Sequence, residues 1–229
     1  MSGSVKGEWN GRPDAEDGRT EIERKYTPTS SDKDVGYFDL MLKVYKGGVK
    51  DRFLDGGKVS QYLDSLSIGD CIDVQGPVGL HAYVGAGVMV SRGKRLEFKR
   101  LGMIAGGTGI TPMLQIIRHV LCTPSDPTEL SLLFANQSEE DIFLRDELEE
   151  LQRTHPTRFK VWYTVDRPPT DRPWEYSTGF VDAGMLDAHM PSPDPETLVM
   201  MCGPPPMIKF ACRPNLLKLG YARERCIEC

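Results

Sequence analysis

The stretch that most limits what this chain can fold into runs from residue 101 to residue 113. Leu101, Gly102, Met103, Ile104 and Ala105 make a short apolar run that breaks into Gly106, Gly107, Thr108 and Gly109. The run reads as a buried strand. Thr111 offers an N-cap hydroxyl, and Pro112 suits a first helical turn, where a missing N–H costs nothing. Met113, Leu114, Ile116, Ile117 and Val120 then keep an apolar helical face. A strand that turns through glycines into a helix N-terminus brings bare backbone N–H groups to an anion. The spacing is neither G-x-G-x-x-G nor a Walker loop, because no Gly-Lys-Ser/Thr follows. Tight packing alone would explain such a turn as readily, so the other segments decide.

A length of 229 residues allows one large domain or two small ones. The net charge of -5 argues against non-specific nucleic-acid binding, which needs a basic surface. No apolar stretch approaches the roughly 20 residues that span a bilayer, and the start shows no basic-then-apolar leader. Six cysteines lie without a framework spacing, which fits reduced thiols in the cytoplasm. Cys226 and Cys229 are three apart on an expected strand and so point to opposite faces, which argues against a shared metal or a disulfide. No metal site is expected.

In chain order, strands are expected over 20–27, 37–45 and 70–77, with a short helix after Gly56 and Gly57. Closely spaced strands with one short helix suggest a small antiparallel barrel. Residues 85–99 read as a hairpin or linker. From residue 100 the rhythm changes. Strands over 101–105, 130–135, 159–166, 197–202 and 225–229 alternate with helices over 144–153, 185–189 and 207–219. Pro214 stands where it would kink the last helix, and the proline-rich residues 167–178 should be a surface loop. That alternation implies a mostly parallel, doubly wound sheet. The expected organisation is therefore residues 1–88 as a first domain, 89–99 as connection and 100–229 as an α/β domain.

In such a sheet ligands bind beyond the carboxyl ends of the strands. Asp166 ends a strand there, where a carboxylate binds a ribose diol and repels a 2′-phosphate, favouring NADH over NADPH. Cys202 ends another, ahead of the proline-fixed turn Gly203, Pro204, Pro205, Pro206 and Met207. In the first domain, Arg24, Tyr26 and Thr27 put a guanidinium, a phenol and a hydroxyl on one strand. A guanidinium beside a Gly-Gly helix start suits a diphosphate.

Together, Arg24-x-Tyr26-Thr27, Gly56-Gly57-Lys58-Val59-Ser60, the Gly106–Pro112 segment and Cys202-Gly203-Pro204-Pro205-Pro206-Met207 resemble the ferredoxin reductase-like flavoenzymes. Leu132-Leu133-Phe134-Ala135-Asn136-Gln137, Trp162-Tyr163-Thr164-Val165-Asp166 and Gly220-Tyr221-Ala222-Arg223-Glu224-Arg225-Cys226 are closer still to the cytochrome b5 reductase family. The resemblance covers about residues 21–227. It implies a truncated antiparallel FAD-binding β-barrel followed by a doubly wound parallel NAD-binding domain. It further implies FAD held by Arg24 at the pyrophosphate, with Tyr26 and Thr27 at the isoalloxazine and Thr27 near N5. Met41, Lys43 and Tyr45 would line the flavin. Gly57, Lys58, Val59 and Ser60 would cap the diphosphate, and Thr111 would touch the flavin from the second domain. NADH would lie over Gly106, Gly107, Thr108 and Gly109, with Asp166 at the adenosine ribose. Cys202 would stand near the nicotinamide beside Gly203, Pro204 and Met207. The implied reaction is hydride transfer from NADH to FAD, then single electrons to a haem acceptor, most simply cytochrome b5, by a monomer. A basic rim of Lys43, Lys46, Lys50, Arg52 and Lys58 would meet that acidic partner.

The chain departs from the family pattern in two places. Only about twenty residues precede the Arg-x-Tyr-Thr strand, so the barrel is expected to be open, with bare edges and a weakened cofactor site. The last residues, Ile227, Glu228 and Cys229, offer no terminal aromatic. The alternatives are the reductase module of a nitrate reductase and a non-catalytic nucleotide-binding fragment.

Overall fold

The computed structural model describes residues 8–9, 12–14, 16–19, 21–31, 33–49 and 54–229. The chain divides into two compact units. The first takes the chain up to Thr27 and from Leu40 to Pro77, and the second takes Pro28–Asp39 and Val78–Cys229.

In the first unit, β1 (Glu8–Trp9) pairs antiparallel with β2 (Arg12–Pro13), and α1 spans Lys58–Asp64. The short helix after Gly56 and Gly57 is as expected. The strands over 20–27, 37–45 and 70–77 are not: among the described residues of these segments Leu40 makes an isolated bridge and no continuous strand forms. Residues 67–77 are exposed throughout, and Ile72 and Val74 stand 40% and 61% open to solvent. Alternating sequence makes a strand only when one face is covered and one edge is paired. Here neither condition is met for residues 70–77.

A three-stranded antiparallel sheet lies instead in the second unit, as β3 (His81–Gly85), β4 (Val88–Ser91) and β5 (Lys94–Glu97). The expected hairpin over 85–99 is its second half. Next come β6 (Arg100–Gly106), α2 (Ile110–Leu121), β7 (Glu129–Ser138), α3 (Arg145–Thr154), β8 (Phe159–Arg167) and β9 (Ser177–Thr178). Then α4 (Ala183–His189), β10 (Thr197–Cys202), α5 (Pro205–Met207), α6 (Arg213–Lys218) and β11 (Cys226–Glu228) complete the unit. The sheet order is β11-β10-β6-β7-β8-β9, parallel at every pairing.

Its central strands carry unbroken apolar runs because both faces are covered. Leu101, Met103, Ile104 and Ala105 of β6 and Leu198 and Val199 of β10 are fully buried. Helix α2 lays Ile110, Met113, Leu114, Ile117 and Val120 into that core. The kink expected at Pro214 takes another form: residues Ile208–Cys212, between α5 and α6, make a π-helical turn. Proline has no N–H for the carbonyl four residues back and its ring crowds it, and the wider turn removes both conflicts.

One buried carboxylate fastens the antiparallel sheet to the parallel one. Asp126 accepts hydrogen bonds from the Tyr83 hydroxyl (2.7 Å), the Ala86 N–H (2.9 Å), and the Thr128 N–H (3.0 Å) and hydroxyl (2.6 Å). Burial pushes its pKa up, but the bonds from Thr128, Tyr83 and Ala86 outweigh that and hold it below the ordinary carboxylate range. Its contribution is therefore complete above the unfolded carboxylate pKa and is lost as pH falls through the lowered folded value. Asp126→Ala leaves these donors buried without an acceptor and is expected to cost about 3 kcal/mol. Thermal melts at neutral pH measure this, and a loss under about 1 kcal/mol would show that Asp126 does not fasten the sheets.

Candidate functional site

From β6 the chain builds the sheet outward through β7, β8 and β9, then returns to place β10 and β11 on the other side of β6. The order therefore reverses between β6 and β10, and a crevice opens at their carboxyl ends. The Gly106–Gly109 turn and the proline-fixed turn after Cys202 meet there. A Cβ on Gly109 would lie 2.1 Å from the Cys202 carbonyl oxygen, and one on Gly203 would lie 3.1 Å from the Gly106 Cα. On Gly106 it would strike Met207 Sδ and Pro204 Cδ, both at 2.8 Å. Backbone packs on backbone at this point, and only glycine fits.

Gly107 differs from its neighbours. Its φ is +54°, and a Cβ there would meet nothing within 4 Å. Its glycine serves a left-handed turn that faces open space. Residues Gly107–Gly109 form a single 3-10 turn that runs straight into α2. Thr111 is therefore not the N-cap expected from sequence. It is buried inside the first turn, and its hydroxyl donates to the Thr108 carbonyl at 3.1 Å. The helix begins a turn earlier because three residues of tighter helix satisfy the entry without a side-chain cap.

Cys202 is half-buried at the tip of β10. Burial, and then the Glu228 carboxylate, push its thiol up, so it stays protonated near neutrality. Asp166 stands exposed near the end of β8, with partial burial raising its carboxyl and Arg167 opposing that rise. Since β8 is separated from β6 by β7, Asp166 lies about 10 Å across the sheet from the glycine turns. The structure thus sets Gly106, Gly107, Gly109, Cys202, Gly203, Pro204 and Met207 in one crevice and Asp166 at its flank.

Two features of this end were missed from sequence. Asn136, in β7 between the two regions, is 8% exposed, and neither its Oδ1 nor its Nδ2 has a partner. A buried amide left open on both atoms marks a place where water or ligand completes the bonding. A polar residue closing the apolar run Leu132, Leu133 and Phe134 was its only signal. The second is Arg145. Its guanidinium carbon lies 5.6 Å from the Tyr163 and Trp174 ring centres and 5.7 Å from that of Tyr176, and it pairs with Glu139 and Glu149. This cage ties down the proline-rich loop after β8 by cation–π and ionic contacts. Periodicity could not find it, since loop aromatics follow none.

In the first unit, Tyr45 packs on the glycine pair. The Gly57 N–H donates to its carbonyl at 2.8 Å, and a Cβ on Gly56 would lie 2.5 Å from that oxygen. The Ser60 hydroxyl accepts from the Tyr45 N–H (3.2 Å) and donates to the Gly57 carbonyl (3.0 Å), so it braces the turn. Val59 is half-buried beside it. Lys58 ion-pairs with Asp14, and Arg24 Nη2 reaches both oxygens of Glu16 at 3.0 and 3.1 Å. Tyr26, Thr27, Met41 and Lys43 are half-buried, and burial raises the Tyr26 hydroxyl. Of the expected basic rim, Lys46 pairs with Asp64, while Lys50 and Arg52 lie outside the described residues.

Residues 14–83 match the model of the oxidoreductase FAD-binding domain, and residues 103–213 match that of the oxidoreductase NAD-binding domain. The chain is 56% identical over 207 residues to NADH-cytochrome b5 reductase 2 of Gallus gallus, covering 88% of this chain and 67% of that one. With NADH-cytochrome b5 reductase 1 of Homo sapiens it shares 55% identity over 207 residues, again 88% and 67% of the two chains. Among solved structures, the cytochrome b5 reductase domain of Ulva prolifera nitrate reductase matches with a TM-score of 0.88 and 47% identity, over 92% of this chain and 80% of that one. Both nucleotide-domain models and this identity over most of its length place the chain in the NADH-cytochrome b5 reductase family.

Proposed function

We propose that the chain takes hydride from NADH onto FAD and passes single electrons to a haem protein, cytochrome b5 or a domain like it. The observation that carries this is the abutment of Gly106, Gly109 and Gly203 at the carboxyl ends of β6 and β10. It bares backbone at the one point of the sheet where dinucleotides bind. The open space above Gly107 and the unpartnered Asn136 amide fit a bound nucleotide as well. In the first unit, a turn that admits only glycine beside two cations fits a diphosphate. When bound, FAD supplies the conversion of a two-electron donor into single-electron steps.

The protein's own part is position and electrostatics. Gly106, Gly107, Thr108 and Gly109 let the dinucleotide backbone lie against β6, and Gly203, Pro204 and Met207 wall the crevice. Cys202, kept as a neutral thiol, offers a weak donor and a soft surface near the nicotinamide. Asp166 accepts the adenosine ribose hydroxyls. Arg24 and Lys58 hold the flavin diphosphate on a turn shaped by Gly57, Val59 and Ser60. Tyr26, Thr27, Met41, Lys43 and Tyr45 line the ring, with the Thr27 hydroxyl near N5. Residues 1–88 make the flavin half and 100–229 the nucleotide half, joined through 89–99. The chain acts as a monomer in the cytoplasm. Among the described residues no helix is long and apolar enough to cross a membrane.

An absorption spectrum with added FAD, followed by NADH oxidation with ferricyanide, tests the proposal. Because residues 20–27, 37–45 and 70–77 form no continuous strand among the described residues, FAD is expected to bind more weakly than in a relative with a closed barrel. A chain that takes up no flavin in excess FAD would instead be a nucleotide-binding module without redox activity. The nitrate reductase neighbour favours a second reading, in which the acceptor is a haem domain of such an enzyme. Reduction of ferricyanide without reduction of free cytochrome b5 would favour it.

A further inference from the structure

Two cations from separate segments of the first unit meet two carboxylates from a single turn. Lys58 pairs with Asp14, their side chains only 22% and 12% exposed. Arg24 Nη2 sits across both oxygens of Glu16, a side chain 19% exposed. The turn supports itself: Asp14 Oδ1 accepts from the Glu16 N–H at 2.9 Å, and the Asp14 carbonyl accepts from the Asp17 N–H at 3.0 Å. Arg19 adds a further ion pair to Glu16 at 3.5 Å, on the exposed side. Two anionic groups on a short tether, spread over one arginine and one lysine, have the charge pattern of a diphosphate.

We propose that Asp14 and Glu16 form a built-in counter-anion for the flavin diphosphate cradle. They hold Arg24 and Lys58 while FAD is absent, and they give them up when FAD binds. The proposal rests on the assignment of Arg24 and Lys58 to the FAD diphosphate. Its physical content is a competition. The four groups sum to zero charge, so the cradle offers little long-range attraction to a dianion. Each cation released to FAD must first leave a charge-assisted partner. The segment thereby lends the empty protein order and limits its affinity for the cofactor.

The test uses the full chain, stripped of flavin and titrated with FAD by fluorescence quenching. Three results are expected. The double variant Asp14→Asn, Glu16→Gln should bind FAD about five-fold or more tightly at low salt, and the gain should shrink at about 0.5 M salt, where the Debye length is only a few ångströms. Without flavin, the double variant should melt below the parent, whereas the two should melt alike when saturated. The parent's own affinity should vary little with salt, a measurement that needs no variant. Unchanged or weaker FAD binding by a folded double variant overturns the proposal, as does a steep salt dependence in the parent. Arg24→Gln separates this from the assignment beneath it. If it weakens FAD binding while the double variant fails to tighten it, the cradle stands and the counter-anion role is lost. If Arg24→Gln leaves affinity intact, the cradle assignment itself fails and the proposal falls with it.

Discussion

Gly109→Ala is expected to reduce NADH-dependent turnover by about 100-fold while leaving flavin uptake intact. The added Cβ would sit 2.1 Å from the Cys202 carbonyl oxygen and 2.5 Å from its carbonyl carbon. Both are backbone atoms in a strand paired on each side, so no side chain can swing away. Gly109 itself has an ordinary helical φ of -63°, so the fault is space and not conformation. The β6 and β10 turns must separate, and a displacement near 1 Å at a binding site commonly costs a factor of about 100. Overpacking of this kind also destabilises by about 1–3 kcal/mol. Gly107→Ala is the contrasting variant. No atom would meet its Cβ within 4 Å, so only the left-handed φ of +54° is strained, at about 1 kcal/mol. If a dinucleotide passes over Gly107, its KM for NADH should rise well beyond what that small strain explains. Steady-state kinetics and melting curves of both variants check this, and a near-normal Gly109→Ala enzyme would show that the crevice is not the nucleotide site.

The α/β half was legible because its signals are local and mutually consistent. Strands buried in a parallel sheet carry apolar runs, as Leu101, Met103, Ile104 and Ala105 of β6, Leu132, Leu133 and Phe134 of β7, Val161, Tyr163 and Val165 of β8, and Leu198, Val199, Met200 and Met201 of β10 do. Glycines mark where backbone touches backbone, and Gly106, Gly109 and Gly203 do so across the topological switch point. Topology then placed Cys202 and Asp166 at strand ends without any knowledge of their contacts. The strands of the flavin half were less legible for a physical reason. A period of two in the sequence describes a face, whereas a strand also needs partners, and partners are not local. Residues 70–77 carry the alternation and still lie open to solvent.

Side-chain pairing was the other limit. Nothing in the spacing of Arg24 and Lys58 announces that Asp14 and Glu16 would take them, since the ion pairs cross sequence separations that periodicity does not see. The Arg145 cage is likewise built from α3, β8 and the loop after it. Thr111 shows the opposite failure. A hydroxyl before a proline is a good local capping signal, but a 3-10 turn had already satisfied the helix entry.

Asp166→Thr is expected to shift the preference between NADH and NADPH by one or more factors of ten, each worth about 1.4 kcal/mol. The carboxylate lies near the end of β8, on the flank of the crevice where an adenosine ribose would rest. NADPH must place a phosphate carrying nearly two negative charges beside it, and like charges in a partly dry site repel. Threonine removes the charge and keeps a hydrogen-bonding group, so efficiency with NADH should fall as efficiency with NADPH rises. The direction of the Asp166 pKa sharpens the expectation. Partial burial raises it, so the carboxyl protonates at a higher pH than a free aspartate would. As pH falls, the parent should therefore discriminate less against NADPH, and this part of the pH dependence should vanish in Asp166→Thr. Kinetics with both nucleotides across the acidic range, with ferricyanide as acceptor, measure this without the protein partner. A nucleotide preference that stays the same in the variant would make Asp166 a loop residue and leave the coenzyme choice to other groups.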